Sequence, residues 1–400
     1  MKLRYKISTI VTLFIFLFND LYAQISNYET DFELFASKTR IIELVSSDGK
    51  GRIAIAPEIQ GKIIGSSYHG LKGKNNGWIN KFAFNNGSIN FEAIGGEDRI
   101  WLGPLGGQHS FYFQQLKPLR ETNWMVPPQL SSDAFTLKSS SSRSVVLEKG
   151  MELTNFIGTC FRLNIERRIK ILERHTIENN LNISLDKNLN YVAYESAHTL
   201  TNTGLKKWKK ETGLIALWSA GMFEGSDESV VIIPLEKPAS LEDIYKYMGP
   251  LDSERLSIKK QVVLFKADGK YRSKIGIPNT LAPTIYGCYS KNKKQLTIVQ
   301  YRKTNDSLFF NSNVSIQKEP YQGEVIPIYN NGTMDYSKTN KTSFFELEST
   351  SPFKELAPNE NLEHFHRVYH FSGTASALED IALKLLKISL RDCSLGIIKK

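Results

Sequence analysis

Short apolar runs broken by Ser, Gly and Asn clusters recur along this chain, and that rhythm restricts its fold more than any other feature. Phe135–Lys138, Ser144–Leu147, Met151–Phe156, Phe161–Ile171 and His175–Asn180 follow one another at the spacing of an antiparallel sandwich, not of strands alternating with helices. The rhythm opens with Ile41–Val45 and Arg52–Ala56, joined by a Ser-Ser-Asp-Gly hairpin signal. It resumes in Gly213–Phe223, Val230–Pro234, Val262–Phe265, Lys274–Ile277, Thr284–Tyr289 and Leu296–Tyr301, and closes with Phe344–Glu348 and His364–Phe371. Leu116–Leu130, with Pro118 and the Pro127-Pro128 pair, reads as a crossing loop. Ser240–Met248 reads as a short capped helix. The end of the chain, about 376–391, is helical: Ser376 and Glu379 form a capping box, and Leu378, Ile381, Ala382, Leu385 and Leu386 keep a 3.6-residue period. The pattern predicts an all-β fold with a C-terminal helix, one domain over residues 24–400 built from two stacked sheets.

Residues 1–23 stand apart. Lys2, Arg4 and Lys6 precede an apolar stretch, Ile7–Phe18, and Leu21-Tyr22-Ala23 before Gln24 fits a cleavage site. This is the pattern of a secretory signal peptide, too short to span a bilayer comfortably, and it predicts a periplasmic or secreted protein with no membrane span. Its removal leaves 48 Lys and Arg against 40 Asp and Glu, a dispersed excess. That excess excludes a nucleic-acid binder of the usual strongly basic kind and permits acidic partners such as uronic acids. Cys160, Cys288 and Cys393 show no metal-binding spacing; the first two read as buried thiols.

The candidate chemistry lies in four places. Glu92–Phe113 sets Glu97, Asp98, Arg99, Trp101 and His109 among two diglycines and a Gly-Pro, a shaped loop offering hydroxyl partners and a flat apolar face to a ring-shaped ligand. Asn190–Gly204 places His198 and Asn202 in a polar turn, and Asp268 and Arg272 lie in a mixed-charge hairpin. If Phe344–Glu348 is a strand, Glu346 and Glu348 share the face opposite Phe345 and Leu347, and two such carboxylates raise one another's pKa. His364, His366 and His370 share one face of the last strand. The first two can reach one divalent metal only with a carboxylate from elsewhere, so no cofactor is required and the pair is a weak metal candidate.

Several of these segments together resemble a known group: PEIQGKIIGS (57–66), GGEDRIWLGP (95–104), GGQHS (106–110), YESAHTLTNTG (194–204), FKADG with YRSKIG (265–276), FELESTSP (345–352) and the histidine segment 364–371. The chain resembles a secreted branch of the galactose-mutarotase-like (aldose 1-epimerase-like) superfamily. That resemblance implies a β-supersandwich with a sugar site on a concave sheet. It implies His198 as acid and Glu348, supported by Glu346, as base at the anomeric centre of a sugar or oligosaccharide. Glu97, Asp98, Arg99, His109, Asn202, Asp268 and Arg272 would then hold hydroxyls, with Trp101 stacking on the ring. The alternatives are a non-catalytic glycan-binding protein on the same fold and a glycosidase or polysaccharide lyase. They separate on one geometric point: whether His198 and the two glutamates open into one cleft.

Overall fold

The computed structural model describes residues 27–86, 94–115, 117–249, 251–335 and 343–393. The signal-like segment 1–23 lies outside them. A three-stranded sheet at the N-terminus pairs β1 (Ile42–Val45), β2 (Arg52–Ala56) and β3 (Lys62–Ser67). A six-stranded antiparallel sheet runs, edge to edge, through β11 (Tyr245–Met248), β14 (Ser273–Pro278), β17 (Glu324–Asn330), β18 (Phe344–Thr350), β9 (Ala216–Glu224) and β4 (Arg99–Gly103). A ten-stranded sheet faces it. Its order is β12 (Leu256–Lys259), β13 (Val262–Lys266), β10 (Ser229–Pro234), β15 (Ile285–Ser290), β16 (Gln295–Tyr301), β19 (Asn361–Ser372), β8 (Asn190–Asn202), β7 (Cys160–Ile171), β6 (Ser144–Thr154) and β5 (Thr136–Ser140).

The main core fills the gap between the two large sheets. Phe161, Leu163, Ile165 and Ile169 of β7, with Val192, Tyr194 and Leu200 of β8, meet Leu217 of β9, Ile326 and Ile328 of β17 and Phe345 and Leu347 of β18. Each strand contributes every second residue, as the pleat requires. A second core covers the other face of the ten-stranded sheet, where helices Arg174–Leu181 and Ala375–Leu386 pack on residues such as Ile232, Ile298, Tyr369 and Phe371. Three layers therefore stack in order: helices, ten strands, six strands. On the outer face of the six-stranded sheet a single turn of helix, Pro128–Ser131, packs against β4, and its Leu130 carbonyl accepts the Trp101 indole N–H at 2.9 Å.

The sequence rhythm holds with local corrections: a small third sheet joins the two expected, and Ser144–Leu147 and Met151–Phe156, expected as two strands, are parts of the single strand β6. His175–Asn180, expected as a strand, lies in the helix Arg174–Leu181, whose Ile177 and Leu181 are buried four residues apart. Ser240 does cap with Asp243, yet only a single 3-10 turn, Leu241–Asp243, forms before the chain enters β11. The C-terminal helix starts earlier than Ser376 suggests, because Thr374 is its cap, and it ends at Lys387 in the left-handed region. Cys160 is exposed where a buried thiol was expected; Cys288 and Cys393 are buried, and all three are free. No described helix is long and apolar enough to cross a membrane.

Candidate functional site: a tryptophan-lined cavity on the six-stranded sheet

The parity of β18 decides where the acids go. Phe345, Leu347 and Ser349 point into the main core, where Ser349 Oγ meets His364 Nε2 at 2.8 Å and His366 Nδ1 at 2.9 Å. Glu346 and Glu348 therefore project from the opposite, outer face. Register places their neighbours there too: Met222 of β9 beside Glu346, Ala220 beside Glu348, and Trp218 beside Thr350. On the far side of β9, β4 sets Arg99 beside Ala220 and Trp101 beside Trp218. On the far side of β18, Tyr329 pairs with Glu346, and Lys274 of β14 pairs with Tyr329.

These residues floor a cavity of about 600 Å³, within the range of small-molecule sites. Trp78, Trp101, Trp124 and Trp218 all line it, four of the five tryptophans in the chain. Its charged lining comes from Arg99, Arg272, Lys274 and Glu346. Gly95 lets Trp78 reach this wall. Its φ is +80°, and a Cβ there would lie 2.7 Å from the Trp78 ring, so only glycine fits beneath the indole.

Electrostatics organise the floor. Arg99 Nη2 lies 3.2 Å from Glu346 Oε1, and its guanidinium sits 4.3 Å from the Trp101 ring centroid, a cation–π contact. Glu348 is fully buried below the lining: it accepts the Trp218 indole N–H at 2.7 Å and Lys274 Nζ at 3.3 Å. Burial pushes the Glu346 carboxyl up to about 7, with Arg99 opposing and Glu348 reinforcing the rise. Glu324, held by Tyr247 and Ser312, is likewise raised by burial to about 7. A carboxyl at the cavity floor thus exchanges its proton near neutral pH, the condition for general acid–base work.

The expected partner of these carboxyls is elsewhere. His198 is 1% exposed and projects from β8 into the space between the sheets, beside Arg167 and His364 in register. Neither of its ring nitrogens meets a hydrogen-bond partner among the described residues. Burial holds its pKa well below the ordinary value, and the Arg167 charge adds to that. All seven histidines of the chain are described, and none lines the cavity. The expectation that His198 and Glu348 meet in one hollow is therefore corrected: β18 stands between them, and Glu348 itself is sealed.

Other expected ligands are also absorbed by the fold. The acidic pair of the glycine-framed segment turns inward. Glu97 accepts from His370 Nε2 and Ser66 Oγ, both at 2.8 Å, and Asp98 pairs with Arg167 at 3.2 Å and Ser196 at 2.5 Å. Asn202 ties down the carbonyls of Lys206 and Leu356, and Asp268 is clamped by Arg255 through two bonds. His109 stacks on Tyr321 outside the cavity. His364 and His366 share the Ser349 hydroxyl, and burial lowers them to about 3 and about 4; no group of three or more metal-ligating side chains occurs among the described residues. Of the expected set, the structure gathers Arg99, Trp101, Arg272 and Glu346 at one cavity, with Glu348 beneath. Of the expected loop Glu92–Phe113, Glu92 and Ala93 lie outside the described residues, and Arg99–Gly103 is an edge strand of the sheet rather than loop.

Sequence reasoning missed Trp78, Trp124, Trp218, Lys274 and Tyr329 as site residues. The one available signal was the scarcity of tryptophan, five in 400 residues, with four outside the lysine-flanked Trp208. A family model described as "Family of unknown function (DUF6786)" matches residues 26–396. The chain belongs to the DUF6786 family.

No curated protein matches this DUF6786 chain. Among solved structures it is similar to a candidate aldose 1-epimerase of Escherichia coli K12, at TM-score 0.50 and 12% identity over 83% of this chain and 98% of that one. It is also similar to the Slr1438 protein of Synechocystis sp. PCC 6803, at TM-score 0.51 and 9% identity over 84% and 97%. A galactose mutarotase-like protein from Lactobacillus casei ATCC 334 gives 0.48 and 11% over 83% and 100%. At these identities the likeness is one of fold, and the DUF6786 chain has the galactose mutarotase-like β-sandwich with a C-terminal helix.

Proposed function

We propose that the cavity on the six-stranded sheet is a carbohydrate-binding site. The observation that carries this reading is the convergence of four tryptophans, from four separate segments, around an Arg99–Glu346 pair. A sugar ring has an apolar C–H face and a rim of hydroxyls. Indole faces suit the first, and fixed charged donors and acceptors suit the second. The fold shared with a candidate aldose 1-epimerase agrees with sugar as the ligand class. Residues 1–23 are read as an export signal, so the site would meet glycans outside the cytoplasm. Isothermal titration of the purified protein against a panel of sugars is the test. Binding that is weakened in Trp124→Ala is the expected result, and a panel with no binder refutes the reading.

Binding takes precedence over catalysis because no histidine reaches the cavity. A second reading, proton transfer at an anomeric centre, is favoured by one observation: the raised proton affinity of Glu346. In it the Glu346 carboxylate, paired with Arg99, takes the proton of the anomeric hydroxyl as the C1–O5 bond breaks and water in the cavity gives O5 a proton; the aldehyde rotates and the ring recloses by the reverse transfers. Polarimetry on freshly dissolved sugars tests it. Anomerisation above the buffer rate that Glu346→Gln abolishes is expected under this reading, and equal rates with and without the protein exclude it.

A further inference from the structure

The aromatic side chains of the cavity are not spread evenly. Trp101, Trp124 and Trp218 gather at one end, with Trp101 centroids 5.1 Å from Trp218 and 6.0 Å from Trp124. Trp78, Phe344 and Tyr329 gather at the other, with Phe344 centroids 4.5 Å from Trp78 and 6.1 Å from Tyr329. Arg99 and Glu346 occupy the strand positions between Trp218 and Phe344, Arg99 stacking on Trp101 and Lys274 Nζ lying 5.1 Å from the Trp218 ring centroid, so the charges run from the first cluster towards the second. Register gives the separation. Trp218 sits beside Thr350, and Phe344 lies six residues along the same extended strand, roughly 20 Å between backbone positions at about 3.4 Å per residue; the Trp218 indole N–H bonds Glu348, so the ring faces are closer than that but still more than one pyranose apart.

A single pyranose ring cannot touch both ends of such a floor. Resting on the saccharide reading above, we infer that the occupant is an oligosaccharide of two to three rings, laid along β18 and β9 with an end ring on each aromatic cluster. The middle of the ligand crosses the charged strip, where Arg99 and Lys274 donate to its oxygens and Glu346 accepts from its hydroxyls. The order aromatic, charged, aromatic along one sheet face is what distinguishes this floor from a pocket for one free sugar, which needs a single stacking face enclosed by polar groups.

The experiment uses ladders of one to four rings from cello-, xylo-, manno- and galacturono-oligosaccharides, titrated into the full-length mature protein by calorimetry and tryptophan fluorescence. Within the series that binds, affinity is expected to rise roughly 3–10-fold for each ring that reaches an aromatic cluster and to level off at three. Trp78→Ala and Trp124→Ala act at opposite ends. Each is expected to erase the gain from the ring at its own end, so that the variant binds the longer ligand no more tightly than the next shorter one, with circular dichroism confirming the fold. The wild-type ladder stands whether or not either variant folds. A monosaccharide that binds as tightly as its trisaccharide overturns this inference and leaves the sugar site intact. No binding at any length overturns both.

Discussion

The two faces of the six-stranded sheet carry similar chemistry to opposite ends. On the inner face, Ser349 meets His364 and His366, and close by Asp98 pairs with Arg167 and Glu97 with His370; every one of these groups is buried. On the outer face, Arg99 pairs with Glu346 and Lys274 with Glu348 beneath four indoles that enclose an open volume. By residue type alone, the inner face looks the more catalytic. Access assigns the roles instead: the inner network holds two sheets in register, and the outer one faces whatever enters the cavity.

That contrast can be broken most forcefully at Arg167. Removing it by Arg167→Ala leaves Asp98 as a buried carboxylate without its cation, and about 3–5 kcal/mol of stability is expected to be lost. Urea denaturation measures the loss. The remaining folded protein should bind any sugar that the unaltered protein binds with unchanged affinity; a drop in affinity without a drop in stability would place Arg167 in the site.

The next effect is a difference in pH response. His366 titrates at about 4 in the folded protein against an ordinary 6.5, so the unfolded chain binds more protons between those values. Its contribution is complete above about pH 6.5 and is lost as pH falls towards 4, at roughly 1.4 kcal/mol per unit. Glu346 runs the other way. Raised from 4.5 to about 7, it contributes fully below about pH 4.5 and loses that contribution as pH rises through 7. His366→Asn is expected to flatten the acid limb of a stability–pH curve, and Glu346→Gln the limb approaching neutrality. Identical curves for the two variants would erase the distinction between the faces.

The smallest effect is expected on neither face. Lys207 pairs with Glu355 at 3.2 Å, and both side chains are largely solvated, so Lys207→Ala should move stability by less than about 0.5 kcal/mol and leave ligand affinity alone. A large change would assign the lysine-rich turn 206–210 a role that neither face accounts for.

How much of this was legible in sequence follows from the range of each signal. Alternation is local, so it correctly put Glu346 and Glu348 on one face and Phe345 and Leu347 on the other. It gave parity without direction. Phe344–Thr350 is buried on both sides, and nothing in seven residues says which side meets the second sheet. The same gap misplaced His198, whose polar neighbours Ser196 and Asn202 also face inward on β8. Glu97, Asp98 and Arg99 read as one charged cluster, yet strand geometry sends Asp98 and Arg99 to opposite sides. The tryptophans at 78, 101, 124 and 218 share no spacing; their meeting depends on pairings between β4, β9 and β18 that only the folded chain specifies.

β18 presents Ser349 to the histidine pair on one side and Glu346 to the cavity on the other, so the strand is pinned from behind at the very place where a guest would press on it. Such a floor cannot slide or tilt to accommodate a poorly fitting molecule without first breaking the serine's two bonds. New preferences in diverging relatives should therefore arise by rebuilding the rim that carries Trp78 and Trp124, while the plank beneath is inherited unchanged.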